Sequence, residues 1–351
     1  MKPQVTVLTT VYNGLPYLKE AIESTLNQTY SDFEYLIIDD ASTDESVECI
    51  LTYKDPRIRL VKNEKNRGTS DTINRGLSLI RTPYVVRLDQ DDVSLPNRIE
   101  EQLDYLNKHP DISIVCSWEH TIDSKGNKIR DWKRTINNYG EFLGPVLLGL
   151  CPIWHPSITF RKDAMDEVGG FNADYARAED FEVTTRFALK RLGAAIVPRF
   201  HLLQRQHDNR QSVQFDDRQA SVARKIHNET IKRFSSSPYI DNLGYFLRLE
   251  KDPGGISFDK EYLEKINNAL NDLILNVAEK QKLSTDELKS LKKIIYSRVG
   301  LGVCYASALT RLPAFLFYAG FYVLSPLQLH NVRRALSRIY NVGAGLRYFF
   351  K

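Results

Sequence analysis

Through the first half of the chain, short runs of β-branched and aromatic residues alternate with segments whose apolar positions recur at helical spacing. Gln4 to Val11 reads as a strand, after which Leu15, Leu18, Ile22 and Leu26 fall on one helix face. A second strand from Phe33 to Ile38 ends in the acidic turn Asp39–Asp44, and Ser46 to Tyr53 reads as helical. A strand from Arg57 to Lys62, a helix from Thr69 to Ile80 and a strand from Tyr84 to Leu88 follow. The last of these runs into Asp89-Gln90-Asp91-Asp92 before a helix from Asn97 to Lys108 and a strand from Ile112 to Ser117. Strands and helices in strict alternation predict a mostly parallel α/β sheet with helices on its faces.

The pattern then becomes less regular. Glu119 to Lys133 reads as a hairpin turning at Ser124–Asn127, Phe181 to Leu192 as a helix, and Ala194 to Val197 as a short strand stopped by Pro198. Beyond the linker-like Ser235-Ser236-Ser237-Pro238 the character is mainly helical. Leu263 to Glu279 carries the helical period, and Ser284-Thr285-Asp286-Glu287 has the form of a capping box before another helix. This divides the chain into a catalytic α/β domain over 1–235 and a mainly helical region over 236–351.

Composition narrows the classes. Of 351 residues, 42% are hydrophobic and 26% charged, as in globular proteins. The net charge of +4 is spread without the compact basic cluster of a nucleic-acid binder, so no nucleic-acid partner is expected. Four dispersed cysteines without C-x-x-C spacing make zinc and a disulfide framework poor readings, and reduced thiols are the expectation. MKPQVTVLTTVYNG has no apolar leader, so a cytoplasmic catalytic part is expected. Leu312 to Val332 contains no Asp, Glu, Lys or Arg, but Pro313 and Pro326 interrupt it. A buried helical hairpin and a peripheral element on the inner face of the membrane both fit that segment better than a spanning helix does.

Ligands of open α/β sheets sit outside the carboxyl ends of the strands, and three polar clusters fall there: Thr9–Asn13, Asp39–Asp44 and Asp89–Asp92. Asp89 and Asp91 project to one side of an extended segment and suit a hard divalent ion, Mn²⁺ or Mg²⁺, held against a diphosphate. Asp92 reads as a helix cap, and so do Ser42, Thr43 and Asp44. Asp39 closes an apolar strand, where its carboxylate can accept the imide N–H of a uracil-type base. Gly68 suits a turn that side-chain-bearing residues avoid, and Arg67 beside it faces either a phosphate or solvent. Glu179 and Asp180 open a helix, a favoured place for acids; the functional reading is a general base. Arg205 and His207 share one face at strand spacing, suited to a leaving diphosphate or a metal shell.

Taken in order, VTVLTTVYN, IIDDASTD, NRGTSDTIN, RLDQDD with LPNR, HPS, GGF, AEDFE and RQHDNRQS resemble the family-2 inverting glycosyltransferases over about residues 3–213. The resemblance implies a GT-A fold, a nucleotide-sugar donor and a glycan or lipid-linked acceptor, as in bacterial surface polysaccharide and lipopolysaccharide assembly. It implies Thr9, Val11, Tyr12 and Asp39 at the nucleoside and Asp89 near the ribose; Arg67, from its place in the NRG turn, is the further donor-binding candidate. Asp91 would be the principal metal ligand, and Arg205 and His207 would lie at the diphosphate, His207 also serving the metal. Asp180 would be the catalytic base with Glu179 orienting it or touching the donor sugar, and His155 and Ser157 would line the sugar and acceptor pocket. The Q-x-x-R-W sequence of processive members is absent, which favours addition of a single sugar. Three rivals stand beside this reading, the last a membrane-associated scaffold drawing on the apolar tail, which leaves the acidic clusters unexplained. A nucleotidyltransferase would carry a Gly-rich basic loop after its first strand, and TTVYNGLPYLKE is not one. A non-catalytic nucleotide-sugar or glycan binder would have no need of both Asp91 and Asp180.

Overall fold

A computed structural model describes residues 3–207, 217–239 and 260–310 of the chain. The apolar segment 312–332 and the 208–212 part of the RQHDNRQS stretch lie outside the described residues. By contacts the chain divides into two units. One runs to Ile226 apart from Leu147–Gly149; the other takes Leu147–Gly149 and the residues from His227 on.

The first unit is built on one twisted sheet. Four parallel strands, β1 (Val5–Val11), β2 (Phe33–Asp39), β3 (Ile58–Lys62) and β4 (Tyr84–Arg87), lie in the order β3-β2-β1-β4. The crossover helices between them are α1 (Leu18–Leu26), α2 (Ser46–Thr52) and α3 (Thr69–Leu79). Strand order reverses between β1 and β4, so their carboxyl ends open the crevice where ligands bind in such sheets. The β1–β2 register pairs Val5 with Phe33 and Val11 with Asp39, which brings the ends of the two strands level. Val5, Val7, Ile22, Phe33, Tyr35 and Ile37 form the core on one face. On α3, a Cβ at Gly76 would stand 2.6 Å from Leu8 Cδ1, so glycine there lets the helix approach β1.

The remaining strands are β5 (Val93–Ser94), β6 (Ile112–Ile122), β7 (Lys128–Trp132), β8 (Thr159–Arg161) and β9 (Gly193–Arg205). They continue the sheet as β4-β8-β6-β9-β5, with β7 hairpinned onto β6. β8 is antiparallel to β4 and β6, whereas β6 and β9 run parallel. The helices here are α4 (Arg98–Lys108), α5 (Tyr139–Leu147), α6 (Lys162–Val168) and α7 (Glu179–Leu189).

The fold corrects the expectation that Pro198 ends a short strand. β9 continues to Arg205 because the register with β6 jumps from Ser117–Val197 to Trp118–Phe200. Pro198 and Arg199 sit in that bulge, where no ladder N–H is required of the proline. Glycine and proline in Gly140, Gly144 and Pro145 hide α5 from a periodicity reading.

α8 (Asp217–Lys232), α9 (Lys260–Lys280) and α10 (Thr285–Thr310) follow. In the second unit Ile266, Ala269, Leu270, Leu273, Ile274 and Val277 give α9 one buried face. The capping box is present: Ser284 N–H donates to Glu287 Oε2 at 2.8 Å, and Glu287 N–H to Ser284 Oγ at 3.3 Å. Among the described residues no helix is long and apolar enough to cross a membrane.

Candidate active site

At the ends of β1 and β2 the backbone is stitched by polar side chains. Asn13 is left-handed (φ 51°), and its Oδ1 accepts the N–H groups of Thr43 (2.8 Å) and Asp44 (3.3 Å). Ser42 Oγ accepts Asn13 N–H and Ser46 Oγ accepts Gly14 N–H, so the Asp39–Asp44 turn serves β1 as well as its own helix. Asp39 is buried, and Ser42 N–H approaches its carboxylate at 3.3 Å. Asp40, which sequence reasoning passed over, is also buried. It accepts Asn63 Nδ2 (2.5 Å), Arg67 N–H (2.9 Å) and Gly68 N–H (2.9 Å). That carboxylate shapes the Arg67–Gly68 turn, where Gly68 has φ 80° and an open Cβ position, so conformation rather than space requires glycine. The Arg67 side chain is exposed.

Three of the five described non-glycine residues with positive φ, Asn13, Ala41 and Arg177, lie in loops of this edge. The other two, Arg191 and Lys282, sit just past the ends of α7 and α9, where a left-handed residue is ordinary. Backbone strain is therefore concentrated at the crevice.

The β4 end is held from both sides. Gln90 clamps Tyr12, accepting its N–H at 2.8 Å and donating to its carbonyl at 3.2 Å. Fully buried Arg98, the last residue of LPNR, donates to Arg87 O and Ile158 O beneath the loop; burial lowers its pKa to about 10. Asp91 Oδ2 accepts His207 Nε2 at 2.9 Å, both side chains being largely enclosed. Asp92 is not the cap of α4, a position Asn97 fills; it is fully buried and accepts Arg205 N–H at 2.8 Å.

Several expected contacts are redirected. The Arg205 guanidinium is buried, donating to Asp91 O (3.1 Å) and Glu20 Oε2 (2.6 Å) and lying 4.6 Å over the Tyr17 ring. It braces the Asp91 loop instead of facing the crevice. Thr9 and Val11 are buried, Thr9 Oγ1 meeting Tyr35 OH at 3.3 Å; only Tyr12 of that trio is exposed. Ser157 is likewise enclosed, its Oγ donating to Trp154 O at 3.2 Å. A β-strand points alternate residues inward, and a motif read as a string cannot say which of them reach the crevice.

The acids of α7 face the β4 end. Arg87 Nη2 donates to Asp89 Oδ1 at 2.8 Å, and burial lowers its pKa while Asp89 and Glu179 raise it. Glu179 has its carboxyl pKa pushed up by burial and further by Asp180 and Asp89. Burial lowers the His155 pKa, against the pull of nearby Asp180, so the ring tends to stay neutral. Asp180 Oδ1 accepts Phe181 N–H at 2.7 Å. Three buried atoms, Arg87 Nη1, Glu179 Oε2 and His155 Nε2, have no hydrogen-bond partner. Unpaired buried polar atoms are rare, and three on three elements within one electrostatic neighbourhood call for a polar ligand. Asn74 of α3 closes this end by gripping Phe171 through N–H (2.8 Å) and carbonyl (2.7 Å); a Cβ on Gly170 would stand 2.5 Å from its Oδ1.

Among the described residues no three His, Cys, Asp or Glu side chains converge as a complete metal cage. A divalent ion bound mainly through phosphate needs only one or two protein ligands. The 2.9 Å between Asp91 Oδ2 and His207 Nε2 matches the roughly 3 Å between adjacent ligands on a six-coordinate ion with ~2.1 Å bonds. The pair would serve such a cation with Nε2 deprotonated, the ion replacing the present hydrogen bond between the two side chains. By contrast, a concavity of about 810 Å³ lined by Tyr30, Pro83, Glu100 and Asp104 lies toward the amino ends of β1 and β4, away from these acids.

The glycosyl transferase family 2 profile matches residues 6–169. An uncharacterised glycosyltransferase of Haemophilus influenzae is 30% identical over 253 residues, 68% of this chain and 76% of its own length. One from Methanocaldococcus jannaschii is 32% identical over 53% of this chain, which spans only 64% of that relative. Among solved structures, Staphylococcus aureus TarS 1–349 in complex with UDP-GlcNAc superposes with TM-score 0.56 at 16% identity, covering 95% of this chain and 92% of TarS 1–349. The mannosyltransferase PcManGT of Pyrobaculum calidifontis, in complex with GDP-Man and Mn²⁺, gives 0.50 at 17% identity over 98% and 89%. At such identities the likeness to TarS and PcManGT establishes the fold, which is GT-A.

Proposed function

The chain belongs to glycosyl transferase family 2, and from that premise we propose that it moves one sugar from a nucleotide-sugar donor to an acceptor hydroxyl, with inversion at the anomeric carbon. The observation that carries this reading is the cluster of unpartnered buried atoms on Arg87, Glu179 and His155, next to Asp89 and Asp180. Polar atoms left without partners at the crevice suit the hydroxyl groups of a bound sugar.

The nucleoside lies along Tyr12 and Asp39, with uridine the preferred base and guanosine and thymidine the alternatives. The TarS complex holds a uridine nucleotide and the PcManGT complex a guanosine one. Asp91 and His207 would hold Mn²⁺ or Mg²⁺, which supplies positive charge opposite the diphosphate. Arg205 keeps Asp91 in place through its carbonyl, and Gln90 keeps Tyr12 and the metal loop in register.

In the transfer, Asp180 accepts the proton of the acceptor hydroxyl as its oxygen bonds to the anomeric carbon. The bond from that carbon to the phosphate oxygen breaks on the opposite face, and the electron pair leaves with the nucleoside diphosphate. A single displacement inverts the centre and requires no covalent nucleophile. Neutral His155 and the Glu179 carboxyl orient the sugar beside it. A cytoplasmic catalytic unit serving a glycan or lipid-linked acceptor of surface polysaccharide assembly is the setting that accords with this chemistry.

The test is a thermal-shift panel of UDP, GDP, dTDP and their sugars, with and without Mn²⁺. A ligand bound by the folded state alone raises the melting temperature, by about 2.7 kcal/mol of added stability at a hundredfold excess over Kd. One nucleotide should shift the protein in a metal-dependent way, and Asp91→Ala should abolish the metal dependence. Absence of a shift with every nucleotide would overturn the donor reading.

A further inference from the structure

The second half of the sheet carries an aromatic and cationic surface that neither the donor edge nor the base uses. Two of the chain's three tryptophans, Trp132 and Trp154, meet there, while Trp118 packs on Phe200. Trp132, at the end of β7, meets Trp154 edge to face with 5.3 Å between ring centroids, and the Arg134 guanidinium lies 5.6 and 5.7 Å over the two rings. Arg134 is anchored by a bond from Nη1 to Cys151 O at 3.3 Å. Both rings are half-exposed, yet both indole N–H groups are buried and neither finds an acceptor. The two rings and Arg134 line one recess, with about 10 Å³ of free volume, that also touches Cys116 and Ile196. That volume suits a single oxygen atom, and two unanswered donors beside a guanidinium make an acceptor oxygen the fitting occupant.

Charge narrows the occupant further. Residues 123–134 contain five Lys and Arg against two Asp. Asp131 is already engaged by Lys128 (2.7 Å) and His120 (2.6 Å), and Asp123 accepts the turn N–H groups of Lys125 and Asn127. The charge left over is positive. A planar guanidinium fork matches carboxylate and phosphate, while indole faces offer rigid amphipathic contact area for a sugar ring.

The patch also stands beside the proposed base. Trp154 immediately precedes His155, which feels Asp180, and Cys151 Sγ lies 3.7 Å from Thr184 Oγ1 on α7. Resting on the glycosyltransferase reading, we propose that Trp132, Trp154 and Arg134 form an acceptor subsite for an anionic saccharide. Its phosphate or carboxylate meets Arg134 and one of its oxygen atoms answers the indole N–H groups.

Two of the three tryptophans lie in this recess and Trp118 Nε1 donates to the Arg134 carbonyl, so intrinsic emission of the full chain reports on it. Titration with glucose 6-phosphate and glucuronate should give a saturable emission change, while glucose binds at least about tenfold more weakly. Arg134→Gln keeps all three fluorophores and should weaken the anionic sugars about tenfold or more. Its nucleotide thermal shift should match the wild type, showing the variant folded. An equal response to glucose, an unaffected Arg134→Gln, inorganic phosphate binding as tightly as the sugars, or a response only to phosphatidylglycerol vesicles would each overturn the subsite. The last result would assign the surface to membrane contact. Failure here with nucleotide shifts intact removes only the subsite, whereas absence of nucleotide shifts removes the transferase reading beneath it.

Discussion

The two ends of the crevice are built on opposite principles. Where β1 and β2 finish, polar side chains are matched to backbone partners: Asn13 holds two N–H groups of the next turn, Asp40 holds three donors, and Gln90 grips Tyr12 at both its N–H and carbonyl. Where β4 meets α7, Arg87, Glu179 and His155 each bury a polar atom without a partner. Matched groups make a rigid rim; unmatched groups store free energy that a ligand releases by supplying the missing bonds. Acidic residues are plentiful at both ends, so residue type alone does not separate scaffold from site. Satisfaction of hydrogen bonds does.

That contrast can be attacked from the side of the unmatched groups first, where the expected effect is largest. Asp180→Asn should lower transfer by about 10²–10⁴-fold, the usual worth of a positioned base. The assay is release of nucleoside diphosphate from the donor that shifts the melting temperature, with circular dichroism checking the fold. Retention of most activity would move the base assignment elsewhere. On the matched side, Asp40→Ala leaves three donors unanswered and should cost roughly 2–4 kcal/mol in urea unfolding. A loss well under 1 kcal/mol would mean that the rim is less dependent on its bonds than the comparison holds.

The smallest effect concerns pH. Burial raises the folded-state pKa of Glu179, so the folded chain holds that proton to higher pH than the unfolded chain does. The stability contributed by this group is complete below the unfolded carboxyl value of about 4.3 and declines as pH rises through the folded value. Glu179→Gln removes the decline. Its melting temperature should exceed that of the wild type at pH 8 and converge with it near pH 4. A variant less stable than wild type at pH 8 would show that the protein itself satisfies the ionised carboxylate, contrary to the comparison.

Much of the parallel half was legible because each element there obeys one period. Strands β1 to β4 and helices α1 to α4 fall within a few residues of where periodicity puts them. Legibility failed where local signals misled: Pro198 sits inside a strand through a bulge, and α5 forms despite Gly140, Gly144 and Pro145. At the site, the acidic strand ends were visible as clusters, and so was the need for glycine at position 68. Asp40 and Arg98 were not singled out, because a buried charge that holds backbone looks in a sequence like any other charge.

The sequence by itself determined the alternating α/β architecture, the family and the acids at the strand ends, since these depend on periodicity and on motif order along the chain. Only the tertiary structure decided which polar groups are spent on the protein. Arg205 turns inward to Glu20 and the Asp91 carbonyl, and Thr9 and Ser157 disappear into buried hydrogen bonds. Arg87, Glu179 and His155 are left with capacity to spare. The reason is that a hydrogen bond needs two partners at about 3 Å, and apart from the local Ser157–Trp154 bond the partners here lie 26 to 185 residues apart in the chain.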